Sequence, residues 1–279
     1  MRSLLFAPAN RLEMLAKFAR IAADLFVLDL EDAVPAASRP ATRAQLREAM
    51  EAARRGGEPR RIFVRVNPAR SADFAPDLRA LRDCGADGVV LPKAESADDI
   101  QCVQAALGTA AALPIIAGVE SIGGVLHCRQ IAAADGVAGL YFGAEDFAAE
   151  MGARRTLEGQ EVLYARSRVV LAAKAARVIA LDQVVVQVRD EEQFRRDSQR
   201  GRDLGYDGKM CLLPRQVELA NELFGPTAQE VDYARRLIAA YEEAKAQGRG
   251  AIEFEGGMVD EPLLKRAAGI LAAAASSRR

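Results

Sequence analysis

The stretch Gly88-Val89-Val90-Leu91-Pro92-Lys93-Ala94-Glu95-Ser96-Ala97-Asp98-Asp99 decides the fold. Its apolar run is short enough for a strand buried on both faces, and the proline that follows ends it. Lys93 and Glu95 make a charged connection, and Ser96 with Asp99 has the spacing of a helix N-cap. A strand, a charged loop and a helix start thus follow one another directly.

Working outward, apolar runs of the same kind lie at residues 4–7, 25–28, 62–66, 115–119, 140–142, 184–188 and 209–213, which with 88–91 makes eight. Helical patterns separate them, and N-cap spacing recurs at Asn10 with Glu13, Asp190 with Gln193, and Thr227 with Glu230. This alternation predicts parallel strands covered by helices, closed as a TIM-type (β/α)8 barrel. Leu12, Leu15 and Ala19, and further on Val162, Val169, Leu171 and Ala173, are expected to pack on the barrel wall. From Gly225 the pattern changes. Residues 227–247 read as one long helix, Gly248 and Gly250 interrupt it, and Pro262 opens another. The expected division is a barrel over 1–225 and a C-terminal helical appendage over 226–279.

The 279 residues suit one such barrel, commonly roughly 250 residues, and leave no room for a second full domain. Half the chain is hydrophobic and 28% is charged, the balance of a folded globular protein. A net charge of −1 and a pI near 6.1 provide no general attraction to nucleic acid or to an anionic membrane, so small-molecule partners are expected. Cys84, Cys102, Cys128 and Cys211 form no C-x-x-C pair and sit in apolar or helical runs, as reduced, buried thiols do. With no signal-peptide or membrane-length run, a cytoplasmic protein is expected.

In a barrel, polar residues just past the strand ends converge on one mouth. Here they are Pro8 to Arg11, then Asp29, Glu31 and Asp32, then Arg65 and Asn67, Lys93 and Glu95, Glu120, Glu145 and Asp146, Arg189 and Asp190, and Arg215. Glu120 and Asp146 end neighbouring strands and together suit a hard cation. Magnesium takes oxygen ligands, usually only one or two of them protein carboxylates. Either acid alone reads equally well as a helix cap or an ion-pair partner. The single histidine, His127, lies in a predicted helix, which with scattered cysteines argues against a zinc or histidine-rich iron site. Arg65 brings a guanidinium to the mouth, where it either grips a substrate carboxylate in bidentate fashion or pairs internally with Glu31, Asp32 or another acid. Glu31 and Asp32 are assigned a supporting role, holding metal-bound waters or orienting Arg65.

At these positions the chain resembles the citrate lyase β-subunit-like proteins of the HpcH/HpaI aldolase/citrate lyase family, which also includes malyl-CoA and citramalyl-CoA lyases. The likeness is carried by Ser3 to Pro8, by Leu28-Asp29-Leu30-Glu31-Asp32-Ala33-Val34, by Val64-Arg65-Val66-Asn67, by Gly85 to Lys93, by Gly143-Ala144-Glu145-Asp146 and by Phe254 to Asp260. The resemblance implies a magnesium-dependent carbon–carbon lyase that cleaves or forms a hydroxyacyl thioester through an enolate, with a 2-oxo acid as the other fragment. Glu120 and Asp146 match the magnesium carboxylates, and Arg65 matches the arginine that holds the oxo-acid part. Asp260 matches a lid aspartate acting as acid or base, reaching the mouth of a neighbouring subunit in a homotrimer. Asp260 also reads as the N-cap of the helix opened by Pro262.

Three positions depart from the family pattern. Leu213 stands where histidine is expected, Gln187 where aspartate is usual, and Gly257 where lysine or glutamine is common. They bear on substrate identity more than on the metal chemistry, and Leu213 and Gln187 leave open a non-catalytic metabolite-binding barrel. An acyl-carrier-protein-linked citrate lyase-type subunit and a metal-dependent aldolase of free 4-hydroxy-2-oxo acids, which needs no thioester, are further alternatives.

Overall fold

Eight short parallel strands close a barrel in sequence order: β1 (Ser3–Pro8), β2 (Leu25–Asp29), β3 (Ile62–Arg65), β4 (Gly88–Leu91), β5 (Ile115–Val119), β6 (Val137–Phe142), β7 (Ile179–Asp182) and β8 (Gly208–Cys211). The computed structural model describes residues 1–56, 60–108, 113–248 and 251–276; Gly250 lies outside the described residues. Closure is made by β8 against β1, with Ser3 opposite Lys209 and Leu5 opposite Cys211. Every strand contributes to one interior cluster, built from Leu4, Leu25, Val27, Phe63, Val90, Ile116, Tyr141, Leu181 and Met210. Such side-chain layers make a barrel a packed core rather than a pore.

The barrel helices are α1 (Leu12–Leu15), α2 (Arg39–Ala44), α3 (Leu46–Arg54), α4 (Phe74–Arg82), α5 (Ala97–Leu107), α6 (Ile122–Ala132), α7 (Ala144–Glu150), α8 (Gln160–Ala176), α9 (Glu191–Leu204) and α10 (Pro214–Leu223). Ser96 and Asp99 form a capping box at α5, and Asp190 accepts the Gln193 N–H at α9. Asn10 caps nothing: a turn closed by Arg11 N–H on the Pro8 carbonyl takes up this residue before α1 begins. Val162, Val169 and Ala173 are buried on α8, whereas Leu171 is 69% exposed. Two residues beyond Val169 is a rotation of about 200°, onto the opposite face. Ala19 is likewise exposed, because the chain enters a short 3-10 turn and Phe18 is the residue buried there.

The seventh strand is not the valine run. Residues 184–188 form an irregular loop, and Ile179–Asp182 pairs instead, Gly139 with Ile179 on one side and Asp182 with Lys209 on the other. The valines have better strand propensity, but the ladders of β6 and β8 set the position and the run serves the loop, where Val185 is buried and Val186 is exposed. Asp182 tolerates burial because it is paired. Arg166 of α8 donates to it through Nε at 2.8 Å and Nη2 at 2.5 Å, and Lys209 Nζ through a 2.9 Å bond. Asp197 of α9 completes this buried quartet, 3.0 Å from Arg166 and 2.6 Å from Lys209. Burial alone would raise the Asp197 carboxyl, but Lys209 and Arg166 hold it down at about 2.

The chain divides into two compact units, Met1–Asn221 and Glu222–Arg279. In the second, α11 (Ala228–Ala246) starts at a Thr227–Glu230 capping box, and α12 (Glu261–Ser276) follows a hairpin of β9 (Ile252–Phe254) and β10 (Gly257–Val259). The hairpin turns on Glu255 and Gly256, both with positive φ (49° and 81°), the geometry of a tight two-residue turn. Ala234, Leu237, Tyr241, Val259 and Ala267 form this unit's own core. All four cysteines are free, three of them buried; Cys102 is exposed because it falls on the outer face of α5. Among the described residues, no helix is long and apolar enough to cross a membrane.

Candidate active site

The strand ends open into a cavity of about 440 Å³. Arg65, Asp32, Glu120 and Asp146 line it, together with Asp29, Tyr141 and the apolar side chains of Phe6, Met14, Val184, Met210 and Leu212. Four of the residues singled out from the sequence therefore meet in one chamber. Glu31 stands behind them, 3% exposed.

Arg65 ends β3 beside Asp29 at the end of β2, and strand pairing sets the two opposite each other. Its Nε and Nη2 donate to the two Asp29 oxygens, both at 2.7 Å, while Nη1 lies 3.1 Å from Glu31 and Nη2 3.6 Å from Asp32. The guanidinium also sits 4.8 Å from the Phe6 ring centre. Burial is the largest single influence and opposes its charge, but the hydrogen bonds to Asp29 and the charges of Asp29, Tyr141 and Glu31 together outweigh it and hold the guanidinium protonated well above the usual range. The internal pairing of Arg65 is thus realised, chiefly with Asp29. Asp29 takes two of the five guanidinium N–H groups, leaving three that face Glu31, Asp32 and the chamber.

Glu120, just past β5, is buried against Tyr141 of β6, whose hydroxyl donates to Glu120 Oε1; the Lys93 backbone N–H donates to the same oxygen at 3.1 Å. Two glycines make the space. A Cβ at Gly118 would overlap the Tyr141 ring, and one at Gly143 would lie 2.8 Å from Glu120 Oε2. Burial pushes the Glu120 carboxyl up to about 8, with the Glu31 charge and the neighbouring Asp146 acting in the same direction against Tyr141 and Arg65. Glu31 is raised to about 7, again by burial first, although Arg65 and Lys93 oppose it. Asp146 sits in the first turn of α7, half exposed, 3.5 Å from Lys93 Nζ.

Five carboxyl groups, those of Asp29, Glu31, Asp32, Glu120 and Asp146, thus share two cationic side chains, Arg65 and Lys93. A divalent cation suits this deficit. Among the described residues there is no group of three or more His, Cys, Asp or Glu side chains fit to cage a metal. Glu120 and Asp146 bring two carboxylates to the chamber, and magnesium usually takes one or two from protein and its other ligands from water and substrate.

Other mouth residues have structural work. Arg215 pairs with Glu191 and Glu218 at the surface, Asn67 bonds Leu30 and Asp77, and Glu145 is held by Arg155 at 2.9 Å. His127 is exposed, with Nδ1 3.0 Å from the Glu95 carbonyl oxygen. Asp260 belongs to the second unit, exposed just after β10, and its carbonyl accepts the Leu264 N–H at 3.3 Å, as at a helix N-cap. Sequence reading assigned no role to Tyr141 or Lys93. Tyr141 had one signal, a phenol hydroxyl on the inward face of a strand, which needs a partner.

Residues 2–214 match the HpcH/HpaI aldolase/citrate lyase family. The chain belongs to that family. It is 46% identical to the citrate lyase subunit beta-like protein of Deinococcus radiodurans, over 97% of this chain and 96% of that one. It is 35% identical to the (3S)-malyl-CoA thioesterase of Cereibacter sphaeroides strain KD131, over 93% of this chain and 89% of the relative. Among solved structures, CitE from Mycobacterium tuberculosis in complex with magnesium, acetoacetate and coenzyme A superposes with a TM-score of 0.84 at 36% identity, over 98% of each chain. The family match ends at the close of the barrel strands, whereas the likeness to that CitE extends over the C-terminal segment as well.

Proposed function

We propose that this protein is a magnesium-dependent carbon–carbon lyase acting on a hydroxyacyl thioester such as malyl-CoA or citramalyl-CoA. The observation that carries the reading is the chamber itself, where the buried Glu120 and the half-exposed Asp146 face a cavity short of positive charge. Similarity to a CitE solved with magnesium, acetoacetate and coenzyme A supports the same ligand classes here.

Glu120 and Asp146 would hold the metal, which when bound supplies Lewis-acid stabilisation of charge on the oxo-acid fragment. Tyr141 and the Lys93 N–H fix one Glu120 oxygen, so that carboxylate is oriented before any ligand arrives. Arg65, itself aligned by Asp29, directs its remaining N–H groups to the oxo-acid carboxylate. The apolar side of the chamber, Phe6, Met14, Val184, Met210 and Leu212, excludes water from the thioester fragment as it becomes an enolate. Asp260, on a segment delivered by a neighbouring subunit of a homotrimer, moves the proton on that fragment, donating in cleavage and accepting in synthesis, while the substrate hydroxyl gives its proton to solvent in cleavage and regains one in synthesis.

The test is direct. Purified protein is incubated with magnesium, acetyl-CoA or propionyl-CoA, and glyoxylate or pyruvate, and the thioesters are read by mass. Condensation in at least one pairing is expected, and none in any pairing would remove the lyase reading. Similarity to a malyl-CoA thioesterase favours a second reading, hydrolysis of the thioester. That activity releases the free hydroxy acid and coenzyme A, whereas the lyase releases an oxo acid and a shorter acyl-CoA.

A further inference from the structure

Lys93 has a φ of +50°, in the left-handed region that a residue with a side chain seldom adopts. The conformation serves the backbone. It aims the Lys93 N–H at Glu120 Oε1, 3.1 Å away, and the next N–H, of Ala94, reaches the Gly118 carbonyl at 2.9 Å. Glycine would make both bonds without strain. What glycine lacks is the ammonium, which lies 3.1 Å from Glu31 Oε1 and 3.5 Å from Asp146 Oδ2. A strained residue kept at a site is a pointer to side-chain function. Lys93 does not line the cavity, so its action runs through the two acids it touches.

We propose that Lys93 is a positioning residue whose ammonium is the built-in counter-ion of Glu31 and Asp146 and sets how tightly Asp146 takes up a divalent cation. This rests on the magnesium reading of Glu120 and Asp146. A cation arriving at Asp146 meets a positive charge already paired with it, so the ammonium fixes the carboxylate's place and at the same time moderates affinity. Such a mouth favours exchange of the metal over irreversible capture.

Calorimetric titration of the full chain with magnesium chloride alone separates this role from simple scaffolding. Lys93→Met is expected to bind magnesium about tenfold more tightly than the parent, and Lys93→Arg to bind like the parent. Lys93→Gly, which keeps both backbone bonds and releases the strained angle, is expected to melt above Lys93→Met while showing the same gain in affinity. Unchanged or weaker binding in Lys93→Met and Lys93→Gly would overturn the proposal. Failure of the magnesium reading has another signature: the parent binds no magnesium, or Glu120→Gln with Asp146→Asn leaves binding unchanged. The counter-ion role is then decided in metal-free protein, where Lys93→Met combined with Glu31→Gln is expected to lower the melting temperature by less than the sum of the single variants. Strict additivity would overturn it.

Discussion

Arg65→Met removes the charge at the centre of the mouth while keeping much of the side-chain length. Three anions lose a cation: Asp29, 1% exposed and bonded twice at 2.7 Å; Glu31, 3% exposed at 3.1 Å; and Asp32, 61% exposed at 3.6 Å. Asp32 contributes little, since water solvates it. Deleting one partner of a buried pair costs about 3–5 kcal/mol. Asp29 still accepts the Glu31 and Ala33 backbone N–H groups at 2.9 and 3.0 Å, and Glu31 keeps Lys93, which puts this case near the lower end. A loss of about 3 kcal/mol, at roughly 2–4 °C per kcal/mol for a domain of this size, lowers the melting temperature by about 6–12 °C. Asp29→Asn added to Arg65→Met neutralises the orphaned anion, so the double variant is expected to regain part of that loss in a circular-dichroism melt. Its turnover in the thioester assay is expected to stay down by at least about tenfold, because the substrate still lacks its guanidinium. An Arg65→Met protein melting within about 2 °C of the parent would refute the pairing argument. A double variant melting no higher than the single would show that Asp29 is not the partner that matters.

Three further outcomes are expected. Glu120 is raised from 4.5 to about 8, so its contribution to metal-free stability is complete below pH 4.5 and disappears as pH rises through 8, with a slope of at most about 1.4 kcal/mol per unit; magnesium affinity, which needs the ionised carboxylate, should climb over the same window, and calorimetry at pH 6, 7 and 8 showing a flat affinity would contradict this. Gly143→Ala puts a methyl 2.5 Å from Glu120 Cγ, which should cost about 1–3 kcal/mol of stability and weaken magnesium binding at least about tenfold; parent-like affinity would show that Glu120 is not held as described. Asp260→Asn should melt like the parent, because asparagine caps nearly as well as aspartate, yet lose most turnover, and mixing it with Glu120→Gln protomers should restore activity; parent-like turnover of Asp260→Asn alone would end its acid–base role.

The barrel was legible because most strands are uninterrupted apolar runs followed at once by charge. The seventh was misplaced for a definite reason: the valines at 184, 185, 186 and 188 outscore Ile179-Ala180-Leu181-Asp182 in local propensity, and only pairing with strands on either side reveals the true register. That Glu120, Asp146 and Arg65 face one chamber could be read from their places at or just beyond the ends of apolar runs, since that position depends on local sequence alone. The bond from Tyr141 to Glu120, the space left by Gly118 and Gly143, and the left-handed Lys93 depend on how adjacent strands approach each other. No local pattern encodes such approaches.

Lys209 has a consequence for how the barrel is finished. Its neighbour Met210 points into the apolar interior, so Lys209 faces outward to the layer of α8 and α9, where Arg166, Asp182 and Asp197 meet it. The last barrel strand in the chain therefore carries the cation that two buried aspartates require. An apolar strand could slip by one residue and still bury its surface; this one cannot, because a slip would thrust the ammonium among Leu4, Leu181 and their neighbours and set a thioether against the aspartates. The charge thus keys the register in which the ring closes, and with it the register of the strand ends that form the mouth.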